Sequence, residues 1–249
     1  MRWREDDGVR WLEAELPGAR AAFSTRLGGV SDGAFASLNL GILTEDERDA
    51  VVENRRRFAA TLGFAPERVV AGRQVHGAEL SRRTAPQRPS PFAQPGGEIP
   101  EVDGHLTAEP SLPLLVFVAD CLPVALSGPG GVAILHCGWR GLAAGIVARG
   151  AEAVAATDAA IGPGIGPCCY EVGEEVAGAF AGLGDGIAAG GTLDLPEVAR
   201  RLLREAGVER TESAGLCTSC EGELFFSHRR DGGRTGRQAG LVWRSRTEG

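Results

Sequence analysis

Apolar positions along this chain fall in short runs closed by glycine, proline or polar clusters, a pattern of buried strands joined by turns. Ala19–Ser24 is mostly apolar and runs into Thr25-Arg26-Leu27-Gly28-Gly29, which predicts a strand ending in a glycine turn. Residues 68–77 predict a second strand, with His76 near its exit. Residues 112–118 are almost wholly apolar and predict a strand buried on both faces. Further strands are predicted at 122–126, 132–135, 159–165, 224–228 and 239–243. Helical spacing of Val51, Arg55, Phe58 and Leu62, with a Thr44–Glu47 capping box ahead and Gly63 behind, predicts a helix over 45–62. Other helices are expected over 142–156, 173–182 and 195–206, the last capped by Asp194 with Glu197 three residues on and Pro196 in its first turn. Residues 81–100, rich in Pro, Arg, Ser and Gly, read as a surface excursion, and Arg55-Arg56-Arg57 reads as a solvated helix face. No repeat and no linker interrupts this order, so residues 1–249 are expected to form one catalytic domain.

Composition sharpens the chemistry. The 249 residues contain 26 Lys+Arg, and every one is arginine. Schiff-base chemistry and a Walker-type phosphate loop both need lysine and are therefore excluded. An anionic substrate must be met by arginine forks, backbone donors or a metal. The net charge of −7 argues against general nucleic-acid binding. No apolar run approaches the ~20 residues that span a bilayer, and the polar start Met1-Arg-Trp-Arg-Glu-Asp-Asp is no signal peptide, so a cytoplasmic protein free of the membrane is expected.

His76, Cys121 and His136 each follow an apolar segment, where α/β folds gather functional side chains. One thiolate and two imidazoles suit Zn²⁺, and three protein ligands leave a position open, the pattern of a catalytic site in which a bound water becomes acidic. Their spacing matches no short zinc motif, and two hydrogen-bonded histidines beside a buried cysteine is the competing reading. The same residues could also serve as a cysteine nucleophile with a histidine base. His₂Cys also describes a copper site, but the single methionine, Met1, and four histidines fit copper less well. Cys217-Thr-Ser-Cys220 has no second CxxC to complete a zinc ribbon, and Cys168-Cys169 read as structural thiols. Arg26, Arg73, Arg140, Arg229 and Arg230 lie in glycine-rich or site-adjacent segments and are the anion-binding candidates. Asp103, Asp120 and Glu171 are candidate acid–base groups, and Trp139 and Phe226 candidate stacking surfaces.

Six motifs in order then resemble one known family. They are Arg73-Gln-Val-His76-Gly, Val102-Asp103-Gly, Ala119-Asp120-Cys121-Leu-Pro123, His136-Cys-Gly-Trp-Arg140-Gly, Gly162-Pro-Gly-Ile-Gly-Pro-Cys168-Cys-Tyr-Glu-Val and Phe226-Ser-His-Arg-Arg. The chain is similar to the polyphenol oxidase or laccase-domain family, also called peptidoglycan editing factors, whose members are generally described as purine nucleoside phosphorylases. The resemblance spans about Phe23 to Trp243. It implies a compact α/β (α+β) domain with mixed sheets and outer helices, cysteine-hydrolase-like rather than cupredoxin. It implies zinc on His76, Cys121 and His136, with Asp120, Cys121 and His228 as catalytic candidates and Arg26, Asn39, Arg73, Arg140 and Arg229 as substrate-binding ones. It further implies phosphorolysis of adenosine, inosine, guanosine and methylthioadenosine, a side activity as adenosine deaminase, and a monomer or small homo-oligomer. Cys137 stands where alanine is commoner and could offer an extra thiol near the metal. A cell-wall precursor editing hydrolase and a copper-dependent polyphenol oxidase are the alternative functions.

Overall fold

The computed structural model describes residues 1–94 and 99–245. The chain opens with an antiparallel meander, β1 (Arg2–Asp6), β2 (Val9–Leu16) and β3 (Ala19–Ser24), followed by helix α1 (Arg48–Thr61). Strands β4 (Leu80–Arg82), β5 (Gly104–Thr107), β6 (Leu114–Val118), β7 (Leu122–Gly128) and β8 (Gly131–Cys137) come next. Helices α2 (Trp139–Ala143) and α3 (Ile146–Val154) lead to β9 (Asp158–Ile161) and α4 (Glu174–Gly178). The rest comprises the small hairpin β10 (Ala188–Ala189) and β11 (Thr192–Leu193), helix α5 (Leu195–Glu205), β12 (Arg210–Ser213) and β13 (Gln238–Arg244). One sheet has the order β1-β2-β3-β13-β6 and is antiparallel throughout; the other, β12-β9-β7-β8-β5-β4, is mixed.

Strand alternation sorts side chains into layers. On β6, Leu114, Val116 and Val118 face the second sheet, meeting Val132 and Ile134 of β8. Leu115 of β6 packs on the opposite side with Phe58 of α1. On β8, Ala133, Leu135 and Cys137 pack against Ile146, Val147 and Ala151 of α3 and Val198 of α5. The result is a helix–sheet–sheet–helix sandwich, an α/β architecture of mixed sheets with helices outside. The chain crosses between the sheets at Ala119-Asp120-Cys121, where β6 ends and β7 begins.

Several local expectations are revised. The 45–62 helix starts at Arg48, because Thr44 Oγ1 donates to the Gly41 carbonyl at 2.7 Å and so forms no capping box. The predicted 142–156 helix starts earlier, at Trp139, and is broken by Gly145 at φ +83° into α2 and α3. Residues 68–77 make isolated bridges, Val70 to Leu114 and Arg73 to Glu101, in place of a strand. Residues 224–228 form no strand, and Leu224 and His228 at the two ends lie in turns. The side chain of Gln238 takes the place of a partner strand, accepting from Phe226 N at 2.8 Å and donating to its carbonyl at 3.0 Å. Asp194 does cap α5, accepting from Glu197 N at 2.9 Å.

The 81–100 segment is no free excursion, although its residues 95–98 lie outside the described set. Phe92 is buried, and Arg55 holds the carbonyls of Pro91 and Phe92 at 3.0 Å each. Arg55 is thus not part of a solvated face. Its guanidinium lies 5.0 Å from the Phe92 ring and 4.9 Å from the Phe117 ring, and Nε donates to the Leu40 carbonyl at 2.7 Å. Burial pulls its pKa down to about 9, which still leaves a full cation at neutral pH. Arg56 and Arg57 do lie near the surface, both paired with Glu53.

Candidate functional site

Strand register brings the predicted ligands together. Leu122 pairs with Cys137 and Pro123 with His136, so Cys121, one residue before β7, meets the end of β8. Gly104 pairs with Leu135 and with Leu80, which places Asp103 beside His136 and carries the 75–77 turn to the same edge. The donor atoms of His76, Cys121 and His136 all lie within 4.8 Å of one another. That suits one ion contacting all three at ~2.0–2.3 Å after small side-chain shifts. Two backbone departures aim these groups. His76 has φ +62° and Asp120 has φ +96°, both left-handed conformations that a non-glycine residue keeps only when its surroundings enforce them.

Asp103 enforces the first. It is fully buried, and its carboxylate accepts from His136 Nδ1 at 2.8 Å and from the backbone N–H groups of Val75, His76 and Gly77 at 3.2, 2.9 and 2.7 Å. Nδ1 of His136 is thereby engaged, leaving Nε2 for a ligand, the usual carboxylate–histidine–metal relay. Burial would raise the Asp103 pKa, but His136 and the N–H donors hold it below the ordinary value. Asp120 enforces the second conformation: its oxygens accept from Thr218 Oγ1 and Arg229 N, both at 2.7 Å.

The thiol and imidazole polarise each other. Burial disfavours the Cys121 thiolate, yet His136 and His76 outweigh it and bring the thiol down to about 6. Burial likewise disfavours charge on His136, but Cys121 and Asp103 push it up to about 9. His105 is buried in the sheet, where burial and Arg83 depress it to about 4 and keep it neutral. Cys137 is not an extra thiol at the centre. It alternates with His136 onto the helix-facing side of β8, and burial pushes its pKa far above the ordinary value.

Gly138 leaves the space this centre needs. A Cβ there would stand 2.9 Å from Cys121 Sγ and 3.2 Å from His76 Cδ2, although its φ of −82° and ψ of 168° suit any residue. Gly138→Ala is therefore expected to keep the fold and weaken metal binding by about tenfold, the effect of ~1–3 kcal/mol of local overpacking. Chelator competition measures this, and unchanged affinity would refute the steric reading.

A cavity of about 400 Å³ opens over the trio, within the range of small-molecule sites. Arg55, Arg73, Arg140, Arg229 and Arg237 line it, together with Gln74, Phe117, Trp139, Tyr170 and His228. Arg73 pairs with Glu101 at 3.1 Å, and Arg140 lies 4.4 Å from the Trp139 ring centroid. Arg229 lies 5.2 Å from the Tyr170 ring and donates to the Glu171 carbonyl at 2.9 Å. Sequence reasoning missed Arg55 and Arg237, the former taken for surface and the latter lost in a glycine-rich loop.

Other candidates lie outside this cavity. Arg26 donates to the carbonyls of Ala36 at 2.7 Å and Gly222 at 3.1 Å and covers the buried Phe226 ring. Arg230 is bound to Asp231 and to the Thr218 and Phe225 carbonyls. Asn39 is fully buried behind the cavity wall, its Oδ1 accepting from Gly41 N at 3.0 Å and Arg237 N at 2.8 Å. It shapes the rim formed by Gly41 and Thr44 without reaching the cavity.

Comparison with known proteins gives the family. The model of the family described as multi-copper polyphenol oxidoreductase laccase matches residues 20–245. A Geobacillus stearothermophilus protein named purine nucleoside phosphorylase YlmD is 40% identical, with 94% of each chain covered. A Deinococcus radiodurans protein named purine nucleoside phosphorylase is also 40% identical, covering 97% of this chain and 96% of its own. The crystal structure of Geobacillus stearothermophilus YlmD superimposes with a TM-score of 0.87 at 39% identity, covering 98% of both chains. The chain belongs to the multi-copper polyphenol oxidoreductase laccase family, in the branch whose curated relatives are named purine nucleoside phosphorylases.

Proposed function

We propose that this chain is a zinc-dependent purine nucleoside phosphorylase, splitting adenosine, inosine, guanosine or methylthioadenosine with inorganic phosphate into free base and sugar 1-phosphate. The observation that carries this reading is one cavity holding both the His76–Cys121–His136 trio and five arginines. Arg73, Arg140, Arg229 and Arg237 would bind phosphate and orient it toward the anomeric carbon, and Arg55 adds charge from the wall. Tyr170, Phe117 and Trp139 offer faces for a flat base. His228, exposed at the rim, would pass a proton to the departing purine. Both oxygens of Asp120 are already hydrogen-bonded, which suits a positioning role for Cys121 and Arg229 rather than proton transfer.

Zinc fits the donor set. One thiolate, two imidazoles and a buried carboxylate behind His136 are a zinc combination with a position left open. A copper site of this kind is completed by methionine, and Met1 packs instead against the core between the sheets. When bound, zinc would supply Lewis acidity at its open position, for phosphorolysis and for deamination of adenosine as a side reaction. Adenosine incubated with and without phosphate tests the reading: adenine and sugar 1-phosphate are expected only with phosphate. Release of adenine without phosphate, or oxygen uptake with a phenol in its place, would overturn it.

Metal binding is expected to release protons. At pH 7 the Cys121–His136 pair holds one proton between its steps at about 6 and about 9, and the metal needs a thiolate and a neutral imidazole. Binding between those pH values should therefore expel about one proton, and affinity should rise about tenfold per pH unit. Calorimetry in two buffers of different ionisation enthalpy measures the release. Affinity that stays flat over this window would contradict the coupled pair.

A further inference from the structure

A second cluster of soft ligands lies outside the centre just described. Cys168, Cys169, Cys217 and Cys220 come from two distant segments, yet their four Sγ atoms all lie within 4.8 Å of one another. The closest pairs are Cys168–Cys220 at 3.4 Å and Cys169–Cys220 at 3.5 Å. Four sulfurs at ~2.3 Å around one tetrahedral ion are separated by about 3.8 Å, which falls inside this range. A disulfide would instead draw two sulfurs to about 2.05 Å and leave the others behind. All six cysteines are free thiols.

The backbone around the cluster is arranged for anionic sulfur. Gly166 N donates to Cys217 Sγ at 3.3 Å, and the N–H groups of Ser219 and Cys220 point at the same atom. N–H donors converging on the first sulfur of a CxxC turn stabilise a thiolate ligand. Glu221 N closes the turn on the Cys217 carbonyl at 3.0 Å. Cys168 and Cys220 are exposed, so an ion has an entry path.

We propose that these four cysteines form a second metal site, a closed tetrathiolate that binds Zn²⁺ structurally. Four thiolates leave no position for substrate, so the site is a clamp rather than a reaction centre. What it clamps is the cavity wall. One segment carries Ile165 and Tyr170, the other leads to His228 and Arg229, and the two already meet through the Gly164–Cys217 bridge. Tetrahedral sulfur coordination selects zinc over hard cations such as Mg²⁺ or Ca²⁺. This proposal does not depend on the reaction proposed above.

The test is the metal content of the full chain, purified without chelator and reloaded with zinc under reducing conditions. Two zinc ions per chain are expected in the parent, one in the double variant Cys217→Ser/Cys220→Ser and one in Cys121→Ala. A double variant that holds as much zinc as the parent would overturn the proposal. Should the double variant fail to fold, cobalt(II) loading of the parent decides. The intense visible bands and sulfur-to-metal charge transfer of a tetrathiolate, persisting in Cys121→Ala, are expected. Their absence, or an intact mass showing disulfides in the protein as purified under reducing conditions, would count against the site.

Discussion

Cys121→Ala is expected to lose the metal of the His76–Cys121–His136 centre and to lower phosphate-dependent nucleoside cleavage by on the order of 10³-fold. Lewis-acid stabilisation by a bound metal is worth several kcal/mol, and each 1.36 kcal/mol is tenfold in rate. Cys121 is the only thiol of the trio and its only anionic ligand, so two imidazoles would remain. The fold should survive, because the crossing at 119–121 is held by Asp120, whose carboxylate and backbone carbonyl keep their contacts to Thr218, Arg229 and Ile165. Metal analysis paired with base release, with and without phosphate, measures both losses. Phosphate-dependent release at the parent rate from a metal-free variant would sink the metal-centred mechanism.

The strands that build this centre were legible because their hydrophobic runs are unbroken. Residues 112–118 and 132–135 read as buried strands and occupy β6 and β8. Two of the failures share one cause, a local signal overridden by a distant partner. Leu224 to His228 carries a strand-like composition, but the amide of Gln238 satisfies Phe226 in place of a ladder. Arg55 looks like the start of a charged helix face. Its i+3 neighbour Phe58 is buried, however, and the carbonyls it serves lie 15, 36 and 37 residues away in sequence. The exposed, charged β1 carries little periodic signal of its own and exists by pairing with β2.

For the site, each ligand was visible as a polar residue at the end of an apolar run. Their convergence was not, because it depends on the register of β5, β7 and β8. The same limit applies to cysteine. Cys168-Cys169 and the Cys217–Cys220 pair are unremarkable apart, and only the Gly164–Cys217 bridge brings them into one cluster. Among the arginines, position in a motif did not separate Arg26, which ties loops together, from Arg140, which faces the cavity. That distinction rests on which carbonyls each guanidinium finds.

Asp103→Asn should show how far the centre relies on a residue that never touches the ion. The substitution keeps size and removes the charge. An amide cannot satisfy this site in either orientation. With its NH₂ in place of Oδ2 it faces the N–H groups of Val75 and Gly77, which now sit at 3.2 and 2.7 Å. With its NH₂ in place of Oδ1 it faces the N–H of His76 at 2.9 Å and the ring nitrogen of His136 at 2.8 Å. Either way donors oppose donors in a buried place, at a cost of about 1–3 kcal/mol in stability. The 75–77 turn and the His136 ring would then lose their common anchor, and metal affinity should fall by about 10–100-fold. Urea unfolding of the metal-free protein reads the first effect, and chelator competition the second. A variant that loses stability yet binds metal as tightly as the parent would show that Asp103 braces the turn without orienting the ligands.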